Sequence, residues 1–148
     1  MSSIVRHHVA ISVADLDRTL SFYRHLGFRC ALTWRAPDGS LTIAHLRLPT
    51  GFLLEVFCYT ANTAAAPAER AAGNDLEAIG VKHLGLRVPD LGPAHQAMLA
   101  SGAGDCTPIT RGRTGIDYFF VRDPDGLWVE VVQDDRDLDP DRPVDLRS

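Results

Sequence analysis

Apolar and polar positions alternate over residues 7–13. His7, Val9, Ile11 and Val13 share one face, and His8, Ala10 and Ser12 share the other. Successive side chains of a strand point to opposite faces, so this alternation predicts a strand. The period then lengthens: Leu16, Leu20 and Tyr23 have helical spacing, with Asp15 placed as an N-cap and Gly27 as a stop. Three more strands are predicted at 28–35, 41–48 and 52–59, divided by Pro37-Asp38-Gly39 and Pro49-Thr50-Gly51 turns.

The same order returns further along. Leu84, Leu86 and Val88 alternate with His83, Gly85 and Arg87, and a weaker helical pattern runs from Asp90 to Gly102. Pro93 is tolerated there because it lies in the first turn. Strands follow at about 104–110, 116–122 and 127–132, with turns at 111–115 and 123–126. The halves share one offset: His8 and His83, Gly27 and Gly102, and Glu55 and Glu130 each stand 75 apart. Such self-similarity reads as one βαβββ unit used twice. The first module spans about 4–59 and the second about 81–133. Residues 60–80 read as an Ala-rich linker, partly helical, and 134–148 as a loosely packed tail.

Strand parity isolates the chemistry. Glu55 shares a face with Leu53, Phe57 and Tyr59, and Glu130 with Trp128 and Val132. A lone carboxylate inside an apolar strand is costly to desolvate unless it is paired or binds a cation. Taken singly, each histidine reads better as a strand-end residue and each glutamate as an edge carboxylate. Four residues at one shared offset read better as a two-His, two-carboxylate metal set. Imidazole with carboxylate suits one divalent ion per site, nickel, cobalt, zinc, iron or manganese.

Composition narrows the classes. The chain has 148 residues, 45% hydrophobic and 23% charged, which suits one soluble domain over 1–133. Six Asp and three Arg in 134–148 carry most of the formal charge of −4. The body is nearly neutral, which argues against a nucleic-acid partner. No apolar run approaches the length of a membrane span, and no signal peptide is legible. Cys30, Cys58 and Cys106 form no CxxC pair, so a reducing, cytoplasmic setting is expected.

The run from His7 through Asp17, Phe22-Tyr23-Arg24, Leu26-Gly27-Phe28, Leu54-Glu55-Val56-Phe57 and Phe120-Val121-Arg122-Asp123-Pro124-Asp125-Gly126 resembles the vicinal oxygen chelate superfamily. The superfamily includes glyoxalase I, methylmalonyl-CoA epimerase, extradiol dioxygenases and bleomycin-binding proteins. The resemblance covers about residues 4–133. It implies an α+β fold, two tandem βαβββ modules whose mixed sheets curl into a cup around one metal, and a homodimer acting on a small molecule. The ligand pattern His8, Glu55, His83 and Glu130 is most similar to glyoxalase I and the epimerase. That branch implies a lyase or isomerase in which the substrate chelates the metal through neighbouring oxygens. Either Glu55 or Glu130 then moves a proton beside a carbonyl by way of an enediolate or enolate. An Fe(II) dioxygenase using His8, His83 and Glu130 is the alternative, and a bleomycin-resistance-like binding protein is a third reading. Glutathione-using relatives carry an Arg four residues after the first His and an Asn four after the first Glu. Here those positions are Ser12 and Tyr59, so the resemblance does not extend to a glutathione substrate.

Other residues complete the expectation. Arg87 shares the face of His83 and reads equally as an anion anchor or an exposed strand arginine. His45 points toward the pocket or, as readily, toward solvent. Phe57, Tyr59, Tyr118, Phe120 and Trp128 would wall the pocket, although ordinary packing explains each alone. The turn Arg111-Gly112-Arg113-Thr114-Gly115 reads as a flexible basic turn or a clasp for an anion. His7 is expected half-buried under the helix layer, and His25 and His95 on helix surfaces.

Overall fold

The structure, a computed structural model, describes residues 5–62, 76, 79–138 and 140–145. Most of the expected linker lies outside these residues. The chain divides near residue 69 into two compact units, and the turn Asp123–Gly126 belongs with the first.

In the first unit, β1 (His8–Ser12) is followed by α1 (Leu16–His25), β2 (Arg29–Arg35), β3 (Leu41–Arg47) and β4 (Leu53–Tyr59). The Asp15 side chain accepts a hydrogen bond from the Arg18 amide at 3.0 Å, satisfying a backbone donor at the start of α1. Asp17 in its first turn and Arg24 and His25 in its last complement the helix dipole. The sheet order is β1-β4-β3-β2, with β1 parallel to β4 and the other pairs antiparallel. Leu46, Leu54, Val56 and Ala44 turn to the core, where α1 supplies Phe22 and Tyr23.

The second unit repeats this with β5 (Leu84–Arg87), α2 (Leu91–Ser101), β6 (Thr110–Arg111), β7 (Asp117–Arg122) and β8 (Trp128–Gln133). Asp90 caps α2 through the Gly92 amide, and Gly102 closes it in the left-handed region at φ +59°, where a side chain would be strained. The order is β5-β8-β7-β6, with the same parallel and antiparallel pairing. Phe119, Val121, Val129 and Val131 form its buried floor. The fold is therefore α+β, a βαβββ unit used twice. Among the described residues no helix is long and apolar enough to cross a membrane.

Four expectations are corrected. The strand expected at 104–110 is reduced to Thr110–Arg111 and an isolated bridge between Cys106 and Val121. Pro108 lacks the N–H that a continuous ladder needs. The start of the tail is anchored: Arg136 bonds both oxygens of Asp134 and donates to the Thr114 carbonyl at 2.8 Å. Those hydrogen bonds hold the Asp134 carboxyl down at about 2. His95 is half-buried, with Nε2 2.9 Å from the Thr107 carbonyl and its ring against Phe119, whereas His7 is exposed.

Candidate metal centre and its flanking faces

Register builds the first half-site. Parallel pairing sets Ala10 beside Glu55, and antiparallel pairing sets His45 opposite Glu55, so His8, Glu55 and His45 share one face. Residues directly opposite on neighbouring strands point the same way, which brings His45 Nε2 to 3.0 Å from Glu55 Oε1. His8 Nε2 lies 3.5 Å from Glu55 Oε2. Each imidazole thus faces its own carboxylate oxygen, and the opposite face of β4 carries the buried Leu54 and Val56.

The second half-site follows the same plan. His83 immediately precedes β5, and its Nε2 lies 3.1 Å from Glu130 Oε2. The residue opposite Glu130 on β7 is Phe120, whose ring packs edge-on against His83 at 5.2 Å between centroids. Tyr118 and Trp128 flank Phe120 at 5.4 and 5.9 Å, and the Arg122 guanidinium lies 4.4 Å over the Trp128 ring.

Among the described residues no three His, Cys, Asp or Glu side chains form a group that could hold a metal. What the fold supplies is a His–Glu pair per module, each partly shielded from solvent, with an imidazole Nε2 facing a carboxylate oxygen. That donor chemistry fits a divalent ion of the imidazole-and-carboxylate type.

The remaining expected residues fall on the same two faces. Ile43, Phe57 and Tyr59 continue the first, with Tyr59 46% exposed. Arg87 continues the second and pairs with Asp135 at 3.5 Å. Arg111 pairs with Asp117 at 3.2 Å, so the turn after it is tethered. A cavity of about 820 Å³ opens beside that turn, between Arg111, Arg136, Leu138 and Pro140, and touches neither His–Glu pair. Trp34 and Leu32 also belong to the first face, 49% and 50% exposed. Simple alternation hides them, because Phe28 and Cys30 have the same parity as Leu32 and Trp34. A bulge between Cys30 and Leu32 turns Cys30 toward Leu46 and Trp34 toward Ile43.

One buried polar contact supports this arrangement. The Tyr23 hydroxyl, fully buried, donates to Asp123 Oδ2 at 3.1 Å. Burial, then the Asp123 carboxylate, pushes the Tyr23 hydroxyl well above the usual tyrosine range. Asp125 accepts from the Ala14 amide at 3.1 Å, just beyond β1.

Known proteins share this plan. An uncharacterized protein, YwkD, of Bacillus subtilis is 33% identical over 130 residues, covering 86% of this chain and 94% of its own. A lactoylglutathione lyase of Haemophilus influenzae is 31% identical over 130 residues, covering 85% and 90%. The crystal structure of a glyoxalase family protein from Enterococcus faecalis superposes with a TM-score of 0.73 at 26% identity, covering 89% and 99%. The sequence profile of one family matches residues 6–131. The chain belongs to the Glyoxalase/Bleomycin resistance protein/Dioxygenase superfamily.

Proposed function

We propose that the protein is a divalent-metal-dependent lyase or isomerase that transfers a proton at the carbon beside a carbonyl of a small molecule. His8, Glu55, His83 and Glu130 are the residues that hold the metal. The observation that carries this reading is the repeated His–Glu pair, at one register and on one face in each module. The likeness to a lactoylglutathione lyase supports the reaction class. A divalent ion at such donors polarises a carbonyl oxygen and acidifies the neighbouring C–H. Glu55 or Glu130 takes that proton from carbon and returns it, a step that suits a carboxylate within hydrogen-bond reach. The aromatic face of Tyr118, Phe120 and Trp128 binds the apolar part of the substrate and excludes water.

An Fe(II) dioxygenase is the second reading, with His8, His83 and Glu130 as ligands. The observation that favours it is the contact between His45 and Glu55, which gives Glu55 a second imidazole that Glu130 lacks. Elemental analysis of protein purified without chelator, beside His8→Ala and Glu55→Ala, separates the two. Metal lost in both variants supports the lyase or isomerase. Iron kept in Glu55→Ala but lost in His8→Ala, with substrate-dependent oxygen uptake, supports the dioxygenase. Metal content unchanged in both variants would sink both assignments. Under the first reading, Glu55→Gln or Glu130→Gln lowers turnover by about 10²–10⁴ with little change in ligand binding.

A further inference from the structure

Rows of residues run across the first sheet on the face of Glu55. One row is Ala10, Glu55, His45 and Leu32. The next row, toward the β3–β4 turn, is His8, Leu53, Arg47 and Arg29. Arg29 and Arg47 are therefore directly opposite each other on neighbouring strands and project to one face. Like charges in that relation are destabilising. Both side chains are exposed, and neither has a carboxylate partner among the described residues. Arg87, Arg111 and Arg136 differ, being paired with Asp135, Asp117 and Asp134.

The second module shows how the same position is otherwise used. Arg122 stands 75 residues after Arg47 and lies over the ring of Trp128, while the counterpart of Arg29 is Gly104. Leu53 replaces Trp128 beside Arg47, so Arg47 has no such ring. An Nη of Arg47 lies 3.9 Å from where Gly51 would carry a side chain, which places the guanidinium at the β3–β4 turn. The first module thus keeps two uncompensated guanidinium groups in the row of His8, two and three strands across the sheet from it and about 7 Å along the strand from the His45–Glu55 row.

We propose that Arg29 and Arg47 form an oxyanion-binding subsite that receives a carboxylate or phosphate group of a small molecule. Guanidinium groups are suited to both, through paired charge-assisted hydrogen bonds. That the small molecule is the substrate rests on the lyase or isomerase reading; the subsite itself does not. The subsite deepens that reading by making the substrate an anion whose charged group lies toward the β2 edge of the sheet, across from His8.

The test is titration of the full chain with inorganic phosphate, and separately with acetate, followed by amide chemical shifts at low ionic strength. Saturable shifts centred on residues 29–30 and 46–48 are expected. Arg47→Gln should weaken binding at least about tenfold, the loss expected for a hydrogen bond to a charged group. Arg29→Gln should weaken it less. Arg35→Gln, on the same strand but facing the other way, should leave it within about twofold of the parent. Tighter phosphate than acetate identifies a phosphorylated ligand, and the reverse identifies a carboxylate. Absence of saturation, equal loss in Arg35→Gln, or loss in His8→Ala with retention in Arg47→Gln would overturn the subsite. Anion binding at Arg47 in a metal-loaded protein that turns over no carbonyl compound would sink the lyase reading and leave the subsite standing. Turnover of uncharged substrates, unaltered by Arg47→Gln and without anion binding, would do the opposite.

Discussion

The two modules share a backbone register yet fill it in opposite ways. In the first, the large aromatics come from the helix, with Phe22 and Tyr23 buried, and β3 places the small Ala44 among the buried Leu46, Leu54 and Val56. In the second, 75 residues on, the sheet contributes Phe119 in place of Ala44, and Met98 stands for Tyr23. The outer faces diverge as well. Opposite the glutamate the first module has His45 and the second has Phe120; in the next row stand an uncovered Arg47 and an Arg122 over Trp128. Repetition thus fixes strand pairing and the His–Glu pair, while volume and polarity are balanced within each module separately. A residue is interchangeable with its counterpart only if its own neighbours allow it.

Exchanging the core counterparts should break the comparison most severely. Phe119→Ala, which installs the first module's residue in the second, should cost about 3–5 kcal/mol, because no neighbouring bulk fills the space. The reciprocal Ala44→Phe should cost about 1–3 kcal/mol through overpacking. Urea denaturation would read both, and a near-neutral result for either would show that the two cores are interchangeable.

The next effect is confined to the first unit. Tyr23→Phe removes the hydroxyl bonded to Asp123 and should cost about 1–3 kcal/mol at neutral pH. The sign of its pH dependence follows from the raised Tyr23 pKa: the folded chain holds that proton more tightly than the unfolded chain. The contribution is complete below about pH 10, the ordinary tyrosine value, and declines as the pH rises beyond it. Thermal melts from pH 8 to 11 should show a steeper alkaline loss in the parent than in Tyr23→Phe. Parallel curves would remove Tyr23 from the explanation. The smallest change is His45→Phe, which gives the first half-site the pattern of the second. Stability should move by about 1 kcal/mol or less and metal content should persist. Metal loss as large as that of Glu55→Ala would make His45 a donor.

Much of this was legible in the chain. The Asp15 and Asp90 caps and seven of the eight strands follow from period and turn residues, whereas the side taken by His45, which parity leaves open, is set by its register opposite Glu55. What alternation misses has local causes. A single bulge reverses the parity of Leu32 and Trp34, and Pro108 interrupts the ladder before β6. The opposition of Arg29 and Arg47 depends on strand register, which the spacing of residues along one strand does not contain. The anchoring of Arg136 to Thr114 joins positions 22 residues apart and leaves no mark on hydrophobic pattern.

The bond between Tyr23 and Asp123 spans 100 residues, and the turn that supplies Asp123 completes a unit whose other parts are N-terminal. During synthesis, the first sheet and α1 leave the ribosome well before that turn exists. At about 5–20 residues per second, the stretch from the end of β4 at Tyr59 to Asp123 takes roughly 3–13 s. Over that time the nascent chain holds a buried hydroxyl without its acceptor. A truncation ending before residue 123 is therefore a permanent form of the same intermediate, and its dependence on chaperones would report how much the late turn contributes to completing the early core.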